Sequence, residues 1–128
     1  MDFTLDPAID DVRRRVRRFV DERLIPLEAD RANYDEHENV REDVLAAMRA
    51  QARAEGLWAL QMPKARGGGG LSFGRAAACY GERNRSIFGP ATFNSAAPDD
   101  GTMMALERVG TDAQQARWLQ PIVDGRVR

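Results

Sequence analysis

Apolar residues recur every three or four positions along this chain, and that spacing limits the structures it can form. The clearest run follows Asp6 and Pro7, the residue types expected at the cap and the first position of a helix. The run comprises Ile9, Val12, Val16, Phe19, Val20 and Leu24. It predicts an amphipathic helix with one buried face. No persuasive alternating pattern of the kind that indicates strands occurs in the sequence.

The second helix is predicted between a polar loop and a glycine. Asn39 is placed as its N-cap with Glu42 in the capping-box position, and Gly56 as its C-terminal stop. Its buried side comprises Val44, Leu45, Met48 and Ala52. The apolar stretch after the glycine is predicted to be a loop packed on the core, anchored by Leu57, Trp58, Leu60 and Met62.

A third helix is predicted to start at Ser72, and its small side chains favour close packing against another helix. These side chains are Ala76, Ala77, Ala78 and Gly81. A fourth helix starts near Gly89 and restarts at Pro98, where Asp99 and Asp100 suit the positive end of the helix dipole. Its apolar side comprises Met103, Met104, Leu106 and Val109.

Prolines and capping residues bound the first and last helices. Pro26 lacks the N–H that a helix interior needs, so the first helix is predicted to kink or end there, with a weaker extension to about Arg31. Thr111 and Gln114 form a capping box for the last helix, which Gly125 closes. The buried side of that helix comprises Trp118, Leu119, Ile122 and Val123.

These elements predict an all-α fold, an orthogonal or up-down bundle of about five to six helices in one domain, residues 1–128. The net charge of -1 gives no electrostatic basis for nucleic acid as a partner. The arginines of "RRRVRR" are interpreted as a solvated face, with an anion-binding patch as the alternative. A single cysteine, no signal-peptide pattern and no apolar run long enough for a membrane span favour a cytoplasmic location.

Four consecutive glycines, Gly67–Gly70, invite comparison with phosphate-binding loops. A dinucleotide fingerprint needs G-x-G-x-x-G after a strand, and no frame through these glycines supplies the last one. Gly69–Gly74 has the spacing of a P-loop, but Arg75 and Ala76 stand in place of the lysine and the hydroxyl residue. The loop is therefore interpreted as a flexible turn between helices.

Few side chains suggest catalysis. His37 is the only histidine and lies between two glutamates, so neither a histidine-based triad nor a multi-histidine metal site is predicted. Cys79 has an apolar helical setting that favours a buried structural thiol over a nucleophile. Asp99 and Asp100 have the types of an acid–base pair, but capping of a helix explains them more simply. No catalytic residue and no metal ligand is assigned.

The C-terminal segment, "GTDAQQARWLQPIVDGRVR", resembles part of the flavin-dependent acyl-CoA dehydrogenases. The family pattern there is roughly G-[ST]-x-x-Q-x-x-x-[WY]-L-x-P-[IL]-x-x-G. The matching positions are Gly110, Thr111, Gln114, Trp118, Leu119, Pro121, Ile122 and Gly125. The stretch "EGLWALQMPKARGGGGLSF" is similar to a glycine-containing loop of the family, and Pro26 and "FNSAAPDDGTMMAL" also have counterparts there.

This resemblance implies the N-terminal helical domain of a longer flavoprotein, an oxidoreductase of fatty acid metabolism. In the family, a glutamate of a C-terminal helical domain removes the α-proton of an acyl-CoA thioester while the β-hydrogen leaves as hydride to FAD. That glutamate and the flavin-contacting "[MT]TEP" strand of a middle β-domain are expected to lie outside residues 1–128. The isolated chain is therefore expected to be inactive and to bind no FAD, whereas the parent enzyme uses FAD, acyl-CoA and an electron-transfer acceptor.

The resemblance also implies a substrate-pocket segment. By position it includes Phe93, Asn94, Ala97, Pro98, Gly101 and Thr102. Small residues at Ala97 and Gly101 would leave room for a bulky or long acyl group; the alternative is that the segment only packs the bundle. An apolar face left for other domains predicts a homo-oligomer. A second hypothesis for the chain is a stand-alone, non-catalytic helical binding module derived from this family.

Overall fold

The structure, a computed structural model, describes residues 4–127, and these residues form a helical bundle. Its helices are α1 (Pro7–Phe19), α2 (Ile25–Ala29), α3 (Glu42–Ala54), α4 (Phe73–Arg83), α5 (Gly89–Thr92), α6 (Asp99–Val109), α7 (Asp112–Gln114) and α8 (Gln120–Val123). Within the described residues the only β-type pairing is an isolated bridge between Tyr34 and Val40. The all-α prediction is confirmed.

Pro26 does not end the first helix. Between α1 and α2 the backbone forms a wide π-helical turn, Val20–Leu24, in which Ile25 donates to the carbonyl of Val20. The extra residue in this turn lets the helix pass the missing N–H and the ring of the proline without breaking. The helix then ends at Ala29, short of the predicted extension.

The same arrangement recurs near the C-terminus. A second wide turn, Gln115–Leu119, precedes Pro121 and joins α7 to α8. With the two wide turns counted as parts of their helices, residues 4–127 contain six helical segments. This number agrees with the predicted bundle of five to six helices.

Most predicted helix ends are confirmed. The carboxylate of Asp6 accepts from Ala8 N–H at 2.8 Å, and Thr111 and Gln114 form a complete capping box. Gly56 has a φ of +69° after α3. At this end, Leu57 N–H donates to the carbonyl of Ala52, which closes a Schellman motif.

Two caps differ from the prediction. Asn39 is not an N-cap, because its backbone pairs with Asp35 in a turn and α3 begins at Glu42 with Arg41 as the capping residue. The Tyr34–Val40 bridge continues that turn, so the chain reaches helical geometry two residues later. Ser72 does occupy the N-cap position of α4, although its hydroxyl makes no capping hydrogen bond.

The core consists of two apolar clusters that share one irregular segment, residues 57–62, which we call the core segment. The first cluster packs α1 against α4 and includes Phe19, Leu24, Cys79 and Phe93. The second lies between α6 and the last helix and comprises Trp58, Ala59, Met62, Met103, Leu119 and Val123. All four predicted loop anchors in the core segment are buried.

The glycine loop binds the backbone of the core segment. Three of its backbone hydrogen bonds are Gly69 N–H to Ala59 carbonyl at 3.0 Å, Gly70 N–H to Met62 carbonyl at 2.8 Å and Leu71 N–H to Leu60 carbonyl at 2.8 Å. A Cβ on Gly68 would lie 2.3 Å from the Met62 carbonyl oxygen. The loop therefore packs closely against the core segment and donates hydrogen bonds to its buried carbonyl groups. This finding corrects the interpretation of the loop as a flexible turn.

Several helix faces are more exposed than their spacing predicted. Val109, predicted on the apolar side of α6, is 82% exposed, and Trp118, predicted on the buried side of the last helix, is 45% exposed. On α4, Ala76 is buried, whereas Ala77 and Gly81 face solvent. The small residues of α4 therefore do not all pack against another helix of this chain.

A pair of glycine substitutions tests the role of the loop. Gly68→Ala is expected to lower the free energy of unfolding by about 2 kcal/mol, because the methyl group forces the loop away from the core segment. Gly81→Ala is the matched control: nothing lies within 4 Å of its Cβ position, and alanine should stabilise α4 by about 0.5–1 kcal/mol. Urea denaturation measures both. Equal effects would contradict the close packing of the loop.

Candidate functional site

The predicted pocket segment divides into a buried part and an exposed part. Phe93 and Asn94 are buried in the bundle, while Ala97, Pro98, Gly101 and Thr102 are exposed. The buried pair follows α5, and the exposed residues lead into and begin α6. The predicted pocket segment therefore has four exposed residues and two buried ones.

Asn94 fastens the turn between α5 and α6 to the rest of the bundle. Its backbone has a φ of +53°, a left-handed conformation that asparagine tolerates better than most residues. The side-chain amide of Asn94 donates to the carbonyl of Ile122 at 3.0 Å. The backbone carbonyl of Asn94 accepts from the side-chain amide of Gln61 at 3.0 Å. Asn94 thus has a positioning role in the described structure.

The exposed side of α6, together with Phe73 across a groove, forms a surface that we call the α6 face. Its helical residues are Gly101, Thr102, Ala105 and Val109. One groove beside α6 has a volume of about 530 Å³; it is lined by Gln61, Met62, Leu71, Ser72 and Phe73, and by Met104, Glu107 and Arg108 of α6. A second groove of about 450 Å³ follows the Val109 side of the helix. Small and apolar side chains dominate this surface.

A cluster of polar side chains lies at the interface of α4 and α6, next to the α6 face. Tyr80 donates from its hydroxyl to a carboxylate oxygen of Asp100 at 3.3 Å. The guanidinium of Arg83 stacks 3.6 Å from the centre of the Tyr80 ring, and its Nη1 donates to the carbonyl of Ser95 at 2.6 Å. The cluster therefore joins α4 to Ser95, which follows α5, and to Asp100 in α6.

Burial shifts the pKa of all three ionisable members of the cluster. It raises the pKa of Tyr80 to about 12, with the nearby Asp100 carboxylate adding to the effect. It raises the pKa of Asp100, against the opposing charge of Arg83, and lowers the pKa of the Arg83 guanidinium. Asp100 therefore accepts a hydrogen bond from the phenol of Tyr80 and lies within the electrostatic influence of Arg83.

The surroundings of the other candidate residues favour a structural role over a catalytic one. His37 is exposed beside Glu36, and Cys79 is buried in the core, where desolvation raises the pKa of its thiol. Among residues 4–127 no group of histidine, cysteine and acidic side chains could hold a metal ion. On α1, Arg13 pairs with Asp10 and Glu82, which agrees with an ion-paired face rather than an anion site.

The glycine loop does not fit the phosphates of a dinucleotide. A phosphate cradle needs free backbone N–H groups, but Gly68, Gly69 and Gly70 each donate to a carbonyl of residues 59–63. The loop also follows a short helical turn, Lys64–Arg66, rather than a strand. Residues 67–70 therefore offer no free backbone N–H groups for a phosphate cradle.

The pattern of the whole chain matches a known family model. Residues 6–126 match the model described as "Acyl-CoA dehydrogenase, N-terminal domain". The chain belongs to the acyl-CoA dehydrogenase family. Enzymes of this family are generally FAD-dependent and use acyl-CoA substrates.

Individual relatives agree with this assignment. Acyl-CoA dehydrogenase family member 10 of Mus musculus is 30% identical over 97% of this chain and 12% of its own length. FadE2 of Mycobacterium tuberculosis, described as an acyl-CoA dehydrogenase, is 30% identical over 100% of this chain and 32% of its own length. A solved acyl-CoA dehydrogenase structure from Mycobacterium abscessus has a TM-score of 0.84 at 34% identity, over 98% of this chain and 34% of that one.

The chain thus spans about a third or less of the length of these relatives. It corresponds to the N-terminal domain of the family model, as the resemblance implied. Within residues 4–127, no helix has both the length and the apolar character that crossing a membrane requires.

Sequence reasoning missed the polar cluster. Tyr80 lies four residues beyond the buried Ala76, and Arg83 lies four residues beyond the buried Cys79, so helical spacing already placed both near the buried side of α4. A tyrosine and an arginine at such positions signal a buried polar contact. Their partners in other parts of the chain, Ser95 and Asp100, are found only from the tertiary structure.

The pH dependence of stability tests the environment of Tyr80. Its folded pKa of about 12 exceeds the ordinary value of 10, so the stabilisation is complete below pH 10 and is lost as the pH rises towards 12. We expect the unfolding equilibrium of the wild type to shift by roughly tenfold more than that of Tyr80→Phe over this interval, allowing for the partial exposure of the tyrosine to solvent. Denaturant titrations at stepped pH measure this difference. Parallel pH profiles would show that the phenol is not protected.

Proposed function

We propose that this chain is the N-terminal domain of an FAD-dependent enzyme that desaturates an acyl-CoA thioester at its α,β-carbons. The single observation that carries this proposal is the exposed α6 face, because it includes Gly101 and Thr102, two small residues that the family resemblance assigns to the acyl pocket. The flavin, the catalytic base and the electron-transfer acceptor would all be contributed from outside residues 1–128. A cytoplasmic location remains a prediction from the composition.

The proposed contribution of this domain is one wall of the acyl-chain pocket. Nothing lies within 4 Å of the position that a Cβ on Gly101 would take, so the surface beside α6 is open at this point. Ala97 and Thr102 are exposed small residues near Gly101 in sequence. Together they suit a bulky or long acyl group that lies along the helix.

The second proposed contribution is domain packing. Phe73 is 60% exposed and Val109 is 82% exposed, and large apolar side chains this exposed favour contact with another protein surface. The relatives carry about two-thirds or more of their length outside the matched segment. We propose that further domains of the same enzyme cover part of the α6 face.

A chimaera tests the enzymatic role. Residues 4–127 would replace the matching segment of the Mycobacterium abscessus protein, and the product is expected to retain flavin and to reduce an artificial acceptor when acyl-CoA is added. In this background Gly101→Leu should lower kcat/KM for long acyl chains at least about tenfold more than for short ones, because leucine fills the open wall.

The control for the chimaera is Ala50→Leu, at an exposed small residue of α3 outside the proposed pocket. It should leave the preference for chain length unchanged. If the two variants have the same effect, Gly101 does not line the pocket. A folded chimaera without flavin or activity would instead favour the non-catalytic binding module.

Self-association of the isolated chain tests the packing role. Sedimentation velocity over a concentration series should show the wild type associating, since the α6 face is uncovered. The double variant Phe73→Asp, Val109→Asp should remain monomeric, whereas Ile87→Asp, at an exposed apolar residue elsewhere, should associate like the wild type. A monomeric wild type at all concentrations would contradict this proposal.

A further inference from the structure

Two side chains of α4 hold the turn that leads into α6. Arg83 donates from Nη1 to the backbone carbonyl of Ser95 at 2.6 Å, and Tyr80 donates from its hydroxyl to the carboxylate of Asp100 at 3.3 Å. Residues 97–98, the first exposed part of the pocket segment, lie between these two contacts along the chain. The turn is therefore held by α4 on both sides of its exposed residues.

Tyr80 and Arg83 act as one unit, which we call the α4 pair. They lie three residues apart and so share one face of the helix. The guanidinium of Arg83 stacks 3.6 Å from the centre of the Tyr80 ring, and Arg83 is only 8% exposed. A planar cation stacked on an aromatic face is stabilised in that orientation. A movement of either side chain therefore changes both contacts with the turn.

A side-chain cap does not fix the start of α6. The N-cap position is Pro98, which makes no side-chain capping hydrogen bond. A helix normally gains stability at its first turn from a capping side chain that accepts from one of the first N–H groups. Because α6 begins without one, contacts from other elements carry more of the task of fixing where it begins.

The backbone transmits the position of the turn to the α6 face. Asp100 N–H donates to the carbonyl of Ala96 at 2.9 Å, and Thr102 N–H donates to the carbonyl of Pro98 at 3.2 Å. Gly101 lies between these two donors in the first turn of the helix. Since the bonds join the turn directly to that part of α6, a shift of the turn moves Gly101 and Thr102 with it.

We propose that Tyr80 and Arg83 are positioning residues, which set the place of the α6 face and through it the acyl chain length that the pocket prefers. They act through Asp100 and Ser95 rather than by contact with the acyl group. The effect on chain length rests on the proposed function, whereas the effect on the position of α6 is independent of it.

Amide hydrogen exchange of the ¹⁵N-labelled chain tests the position of α6. Tyr80→Phe keeps the ring and removes the bond to Asp100, so exchange at the Thr102 amide should accelerate about three- to tenfold more than at Ala52 in α3. Tyr34→Phe is the matched control, because it removes a tyrosine hydrogen bond of 2.8 Å to the Glu28 carbonyl, away from α6. It should not accelerate Thr102 more than Ala52.

A double-mutant cycle separates the hydrogen bond from other effects of the substitutions. Asp100→Ala should accelerate exchange at Thr102, and adding Tyr80→Phe to it should have little further effect, because the shared bond is already lost. Additive effects of the two substitutions would overturn the proposal. Equal acceleration at Thr102 and Ala52 in Tyr80→Phe would overturn it too, since the tyrosine would then support only the fold as a whole.

The chimaera described above tests the effect on chain length. Tyr80→Phe should change the ratio of kcat/KM between long and short acyl chains at least about threefold, through KM for the long chains. The kcat for short chains should stay unchanged, because the α4 pair does not contact the reacting atoms. Tyr34→Phe should leave the ratio as it is in the unmodified chimaera.

The two experiments fail in different ways. An inactive chimaera would contradict the proposed function and, with it, the effect on chain length, whereas exchange at Thr102 still decides whether the α4 pair positions α6. An active chimaera in which Tyr80→Phe and Tyr34→Phe give the same ratio would overturn the effect on chain length alone.

Discussion

Burial of an irregular backbone segment is the constraint on which the rest of this structure depends. The core segment, residues 57–62, supplies apolar side chains to both clusters, so its peptide groups are largely removed from water. Buried carbonyl groups need donors, and no helix or sheet provides them here. The glycine loop does so, and only residues without a Cβ can approach so closely at Gly68 and Gly69.

The same segment also positions the surface with the proposed function. Ala59 N–H donates to the carbonyl of Phe93, Gln61 donates to the carbonyl of Asn94, and the indole of Trp58 donates to the carbonyl of Val123. The turn before α6 is thereby fixed to the core and to the last helix. A pocket wall that depends on α6 therefore depends on contacts made far from the exposed residues themselves.

Capping residues and apolar spacing correctly predicted much of the helical framework. They failed where contacts with more distant residues determine the structure. The caps at Asp6 and Thr111 require only neighbouring residues, and both are present. Asn39 has the right type for a cap, but a turn with Asp35 uses its backbone instead. Spacing alone could not show that Val109 and Trp118 lie exposed, because periodicity identifies an apolar stripe without identifying what covers it.

The sequence by itself determined the fold class, the number of helical segments and the family, because these follow from helical spacing, capping residues and an ordered series of short motifs. Only the tertiary structure shows that the glycines pack against the core segment, and that the pocket segment has both buried and exposed residues. It also shows that Tyr80 contacts Asp100 and that Arg83 contacts Ser95. The physical reason is that hydrogen bonds between distant residues and the close approach of backbones depend on how the helices pack, which no local pattern encodes.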